Sequence, residues 1–207
     1  MKKTLYFCLI GLAAVGCAGP YRALTPSTLN FQNRNSVPTA QLEISYLYDI
    51  QGLTKNKRYS KKERKFGYAA VALRIDNKSS QTVKITKENL KILANGVSKS
   101  FVDPNVYALK VKQTSATYLL HGLWGPWRYS YMENLSTGER ETEFKYLPVG
   151  LAIGIINLII AESSNKKHRQ TLEQNTIFDR SIEPGGTLYG IVIIPSGSYE
   201  PLSFEYN

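Results

Sequence analysis

Residues 68–86 read Y-A-A-V-A-L-R-I-D-N-K-S-S-Q-T-V-K-I-T, and the fold of the chain turns on them. Ala69, Val71, Leu73 and Ile75 alternate with Tyr68, Ala70, Ala72 and Arg74, the period of a strand with one face in a core. Asp76-Asn77-Lys78-Ser79-Ser80 interrupts the run with turn-forming residues, and Val83 and Ile85 resume it. A strand, a polar turn and a second strand give the chain a sheet to pack on.

Outward from this stretch the same grammar recurs. Toward the N-terminus, residues 41–50 alternate, with Leu42, Ile44, Tyr46, Tyr48 and Ile50 on one face and Glu43, Ser45 and Asp49 on the other. Toward the C-terminus, apolar runs at 90–93 and 97–102 flank Ala94-Asn95-Gly96, and Asn-Gly in that position predicts a tight hairpin. Asp103-Pro104 closes it. Residues 187–194 and 202–206 read as two further strands joined through Pro195-Ser196-Gly197-Ser198. Short strands separated by turn signals predict an antiparallel β-sandwich. The pattern over residues 68–102 and 183–206 resembles the immunoglobulin-like domains of small bacterial envelope lipoproteins. That resemblance implies a mainly β chain, without the Cys pair and core Trp of antibody domains.

The chain has 207 residues, 43% of them hydrophobic and 11% aromatic, enough for one domain with a real core. Fourteen Tyr suit strands, where the ring packs and the hydroxyl stays wet. Both Cys, Cys8 and Cys17, fall in the first twenty residues. A disulfide framework, a thiolate metal site and a Cys nucleophile are therefore excluded from the body of the chain.

The first residues read M-K-K-T-L-Y-F-C-L-I-G-L-A-A-V-G-C-A-G. Two Lys precede an apolar run too short to span a bilayer comfortably, and small residues lead to Cys17. Residues 1–16 resemble a bacterial lipoprotein signal peptide, with Val15-Gly16-Cys17 ending the motif and Ala14 standing where that family has Leu. The resemblance implies cleavage before Cys17 and acylation of Cys17, which holds the protein in a membrane without a transmembrane helix. Ala18 follows where an inner-membrane retention signal would place Asp, which favours the outer membrane and leaves its face open. An ordinary secretory signal with an incidental Cys, or a plain N-terminal membrane anchor, is the alternative. Residues 17–40, rich in Pro, Asn, Ser and Thr, are expected to form a flexible tether after the lipidated Cys. Residues 41–207 would then be the sandwich, with a helical insertion at about 105–182.

Residues 55–65, K-N-K-R-Y-S-K-K-E-R-K, carry Lys55, Lys57, Arg58, Lys61, Lys62, Arg64 and Lys65 against a single acid. The run is expected to be a solvated hairpin loop that blocks edge pairing. The other reading is a patch for anionic partners such as lipid phosphates, lipopolysaccharide, peptidoglycan or another anionic polysaccharide. Nucleic acid is disfavoured, because Tyr59 alone is interleaved as a stacking ring.

Residues 147–161, L-P-V-G-L-A-I-G-I-I-N-L-I-I-A, hold no charge and are too short to cross a bilayer. They are expected to form a buried helix, with docking on a partner protein or a dip into lipid as the alternatives. Residues 121–131, H-G-L-W-G-P-W-R-Y-S-Y, bring together Trp124, Trp127, Tyr129 and Tyr131, either as a ligand or interface loop or as a cover for the core. His121 and His168 lack a second metal ligand at helical spacing, and no nucleophile elbow or phosphate loop is present. The sequence thus points to no enzyme, cofactor or metal. It points to a membrane-anchored protein with an envelope protein partner.

Overall fold

The computed structural model describes residues 17–31, 33–37, 40–118, 127–134, 140–147 and 149–207. The chain divides into a larger unit, Tyr21–Lys112 with Asn165–Asn207, and a smaller one, Met1–Pro20 with Gln113–Ser164. Residues 1–16, expected as a signal peptide, lie outside the described residues.

The larger unit is built on strand β3 (Tyr68–Asn77). It pairs antiparallel with β2 (Leu42–Leu47) on one side and β10 (Thr187–Pro195) on the other, and β1 (Asn33–Val37) extends the sheet beyond β2. A second sheet has the order β11 (Leu202–Tyr206), β5 (Leu90–Ala94), β6 (Val97–Lys99). A short pair joins β4 (Val83–Ile85) to β9 (Arg180–Ile182). Leu42, Ile44, Val71, Leu73, Ile75, Leu90, Ile92, Leu202 and Phe204 meet in one core, so the antiparallel sheets face one another in a sandwich-like arrangement.

Both faces of β3 are buried, which corrects the one-sided strand that its alternation predicts. Ala69, Val71, Leu73 and Ile75 enter the core between the sheets, whereas Ala70 and Ala72 enter a second cluster with Tyr21, Leu24, Ile50, Tyr59, Tyr107, Val111 and Leu172. Small Ala side chains on that face let helices approach the sheet closely. The covering elements are α1 (Ile50–Leu53), α2 (Lys57–Lys65), α3 (Pro104–Val111) and the last turns of α4 (Val149–Gln174). The chain is therefore mixed in class, with helices as a full layer, and not mainly β.

Local chemistry explains several boundaries. β2 stops at Leu47 because Asp49 takes a left-handed conformation (φ 50°) and its carboxylate accepts from the Gly52 amide, opening α1. Ile50 consequently leaves the face predicted for it and enters the helical-layer cluster. Asp103 ends the β5–β6 segment and also caps α3, accepting from the Asn105 and Val106 amides at 2.8 and 3.3 Å, with Pro104 in the first turn. Asn95 (φ 51°) and Gly96 (φ 77°) form the predicted turn between β5 and β6. At the end of β3, buried Asn77 donates to the carbonyls of Gln81 and Ile182 and accepts from Ser79, which orders the polar turn into β4. β10 and β11 both form, but each pairs elsewhere, β10 with β3 and β11 with β5, so residues 196–201 carry the chain from one sheet to the other.

Two segments depart further from expectation. Residues 18–37, expected as a tether, bury Ala18, Tyr21, Leu24, Pro26 and Val37 and contribute β1. The predicted helical insertion at 105–182 is partly strand and partly core. It contains a hairpin of β7 (Trp127–Asn134) and β8 (Arg140–Leu147), while Ile177, Phe178 and β9 belong to the sandwich.

Candidate functional site

The basic run is a helix, which corrects the loop predicted for it. Residues 56, 59, 60 and 63 recur at helical spacing, and Asn56, Tyr59, Ser60 and Glu63 are all buried. Their polarity hides this inner face from a hydrophobic reading. Opposite them, Lys57, Lys61, Arg64 and Lys65 are exposed and Arg58 and Lys62 half-exposed, so α2 shows solvent a cationic face about 12 Å long. Lys55 is exposed in the turn before the helix, with φ 61°. Lys62 Nζ donates to the Lys112 carbonyl beyond α3. Burial first, then the charges of Lys65, Lys112 and Arg58, lower the affinity of Lys62 for its proton. The one acid of the run, Glu63, is buried on the inner face.

Glu63 anchors a polar cluster that the sequence does not announce. Its Oε1 accepts from the Ala70 amide at 2.8 Å and its Oε2 from the Tyr107 hydroxyl at 2.8 Å. Burial raises its pKa to about 7 in spite of both hydrogen bonds. Ser60 donates to Asp49 Oδ1 (2.9 Å), and the Tyr59 hydroxyl donates to Asn165 Oδ1 (3.1 Å). The Tyr59 ring lies 4.2 Å from that of His168, which is fully buried and also meets Tyr21 and Tyr107. Gln51 Nε2 donates to His168 Nε2 at 3.0 Å, so the ring is neutral with its proton on Nδ1. Desolvation accordingly lowers its pKa to about 3. His168 Nδ1 and Gln51 Oε1 have no hydrogen-bond partner among the described residues. The cluster holds the pieces of acid–base chemistry, yet Glu63 and His168 are sealed at 1% and 0% exposure. Such groups fix helices on a sheet. The available signal is one acid among seven bases, at helical spacing from Tyr59.

In the smaller unit, half-buried Cys17 precedes a segment docked on the helix α4. The Ala18 amide donates to Asn157 Oδ1 at 2.8 Å, Gly19 N to Gln113 Oε1 at 3.2 Å, and Gln113 Nε2 and Ser164 Oγ both donate to the Gly19 carbonyl. Ala18, Tyr118 and Ala161 pack together beside these bonds. α4 itself is not buried all round, contrary to the expectation for 147–161. Leu151, Ile155, Ile156 and Ile159 are 51, 44, 57 and 61% exposed. No helix among the described residues is long and apolar enough to cross a membrane.

Of the aromatic stretch, His121 and Trp124 lie outside the described residues. The backbone places Trp127, Tyr129 and Tyr131 on β7 at alternate positions, which share one face of the hairpin, and their side chains lie outside the described set. No family model, curated protein or solved structure matches the chain.

Proposed function

We propose that this chain is a non-catalytic lipoprotein of the bacterial cell envelope, held at the outer membrane by acylated Cys17. Its body, read as an immunoglobulin-like sandwich, serves as an interaction or assembly module for an envelope protein partner. The observation that carries this reading is the hydrogen bond from Ala18 N to Asn157 Oδ1, with Ala18 buried beside Ala161. The residue that would follow the lipid-bearing Cys is built into the fold, as suits an anchor that positions a body at a surface. Cleavage before Cys17 leaves every atom of that contact in place. Burial of Glu63 and His168 in the interior is in keeping with recognition through outward faces. In-cell cross-linking of a C-terminally tagged protein, with Cys17→Ser as control, tests it. A discrete envelope protein should co-purify and be lost with the anchor. Recovery of the same proteins with and without Cys17 would overturn the reading.

A second reading is favoured by one observation, the one-sided cationic face of α2. An anionic glycan, lipopolysaccharide or peptidoglycan would bind there through Lys57, Arg58, Lys61, Lys62, Arg64 and Lys65, with Lys55 alongside. Replacing Lys61, Lys62, Arg64 and Lys65 with Gln should abolish retention on immobilised lipopolysaccharide at low salt, and raised salt should mimic the change in the wild type. Retention that ignores both changes would eliminate the α2 face as the ligand site.

A further inference from the structure

We infer that the outer surface of α2 and α3 binds the surface of an anionic lipid leaflet, with lipid phosphates on the α2 cations and the aliphatic side chains of α3 among the headgroups. The inference rests on the second reading above, a ligand on the cationic face of α2, and names that ligand as an amphiphile. The two helices form one surface, which lies wholly in the larger unit. Tyr59 of α2 and Tyr107, Ala108 and Val111 of α3 enter the same cluster as Ala70 and Ala72 of β3, so both helices cover one face of the central sheet and their outer sides look the same way. Glu63 accepts from Tyr107 beneath that surface, and Lys62 donates to the carbonyl of Lys112 at its end.

What the surface displays is mixed in a particular way. Lys57, Lys61, Arg64 and Lys65 face out from α2, and Lys110 and Lys112 are exposed on and just after α3. No acid stands among the outward residues of either helix, and Asp103, at the head of α3, is engaged in its cap. Among these cations Val106 and Leu109 are 48 and 60% exposed, one helical turn apart on α3. Phe66, at the end of α2, is exposed as well, with Lys65 Nζ 5.8 Å from its ring centroid. Among the described residues, the larger unit exposes large apolar side chains elsewhere only at Leu53, which ends α1 in the same helical layer, and at Val97 and Tyr199. A hydrated polysaccharide would answer the cations and leave the aliphatic groups facing water. An anionic lipid surface answers both, because its charge lies over an apolar interior that short aliphatic side chains enter while Lys stems keep their ammonium groups among phosphates.

The test is lysine footprinting of the full chain with a neutral acetylating reagent, read by mass spectrometry. Vesicles of phosphatidylcholine alone are compared with equimolar phosphatidylcholine and phosphatidylglycerol, so whatever holds the N-terminus is common to both. Lys91, exposed on β5 across the sandwich from the helices, is the internal reference. Acetylation of Lys57, Lys61 and Lys65 should fall several-fold relative to Lys91 on the anionic vesicles and stay unchanged on the neutral ones. Val106→Ser with Leu109→Ser, both at exposed positions and checked by circular dichroism, should raise the lipid concentration for half-protection about three- to tenfold. Protection that ignores the double variant would overturn the inference, since any polyanion would then serve. A heparin oligosaccharide supplies the same charge without lipid. Protection by heparin and not by anionic vesicles would keep the α2 reading and overturn the inference, whereas protection by neither would sink both.

Discussion

Glu63 and His168 pull the pH dependence of stability in opposite directions. Glu63 titrates at about 7 in the fold against an ordinary 4.5, so the folded chain holds that proton more tightly than the unfolded one. Its contribution is full below about pH 4.5 and is lost as pH rises through 7. His168 is depressed from 6.5 to about 3, so the unfolded chain binds its proton first and stability falls as pH drops from 6.5 toward 3. The slopes offset one another between 4.5 and 6.5, which leaves a plateau there and a decline on either side. Glu63→Gln keeps one acceptor for the Ala70 amide and supplies a donor to the Tyr107 oxygen, as the protonated acid does. Urea titrations from pH 5 to 8 should therefore show the variant gaining on the wild type by on the order of 2–3 kcal/mol. Parallel curves for the two proteins would mean that Glu63 does not carry the alkaline limb. None of this is legible in the sequence, where Glu63 reads as a charge on a basic surface. Burial, which reverses the meaning of an ionisable residue, is a property of the fold.

At the scale of elements, legibility follows the kind of side chain that marks the buried face. β3, β10, β11 and the β5–β6 hairpin can be read because Val, Ile, Leu and Phe alternate along them and Asn95-Gly96 turns the chain. α2 cannot, because its inner face is Asn56, Tyr59, Ser60 and Glu63, satisfied by hydrogen bonds and hidden among bases. β1 is equally silent. Its residues, N-R-N-S-V, have little strand propensity, and ladder bonds to β2 hold it in the sheet. Where elements meet most closely, β10 carries Gly190. A Cβ there would fall 2.1 Å from Ile177 Cγ2 and 2.9 Å from the Asn175 carbonyl, both held in the layer beside the strand. Gly190→Ala should therefore destabilise the protein by about 1–3 kcal/mol through overpacking. Gly197→Ala, in open space between β10 and β11, should change stability by less than about 0.5 kcal/mol. Denaturant midpoints at constant m-value measure both. Equal midpoints for the two variants would refute the close contact at Gly190.

For the molecule as a whole, the largest departure from the sequence reading is the tether, and the helical layer explains it. The Pro, Asn, Ser and Thr of residues 18–40 look like spacer composition, and one-letter composition does not reveal that Tyr21 and Leu24 are 7% and 3% exposed. Tyr21 packs edge-on against Tyr59 and His168 at 5.4 and 5.2 Å, and the Arg22 backbone is clasped by the Asn56 amide through bonds of 2.8 and 2.9 Å. The segment is thus a strap over the helices that cover the central sheet, and its loss should be felt as lost core. A tether, by contrast, can be shortened or softened with little effect on the stability of the domain it carries. Tyr21→Ala with Leu24→Ala removes two buried side chains, each contributing about 1.5–3 kcal/mol by transfer alone. The double variant should lose roughly 3–6 kcal/mol in urea, a large fraction of what a domain of this size possesses. Ala23 and Ser27 are exposed on the same segment, and the exchanges Ala23→Ser and Ser27→Ala should leave the midpoint within about 0.5 kcal/mol of the wild type. If the Tyr21/Leu24 double variant unfolds at the wild-type midpoint, residues 21–24 do not pack and the spacer reading returns. A large loss confined to the buried pair makes residues 21–24 part of the folding unit.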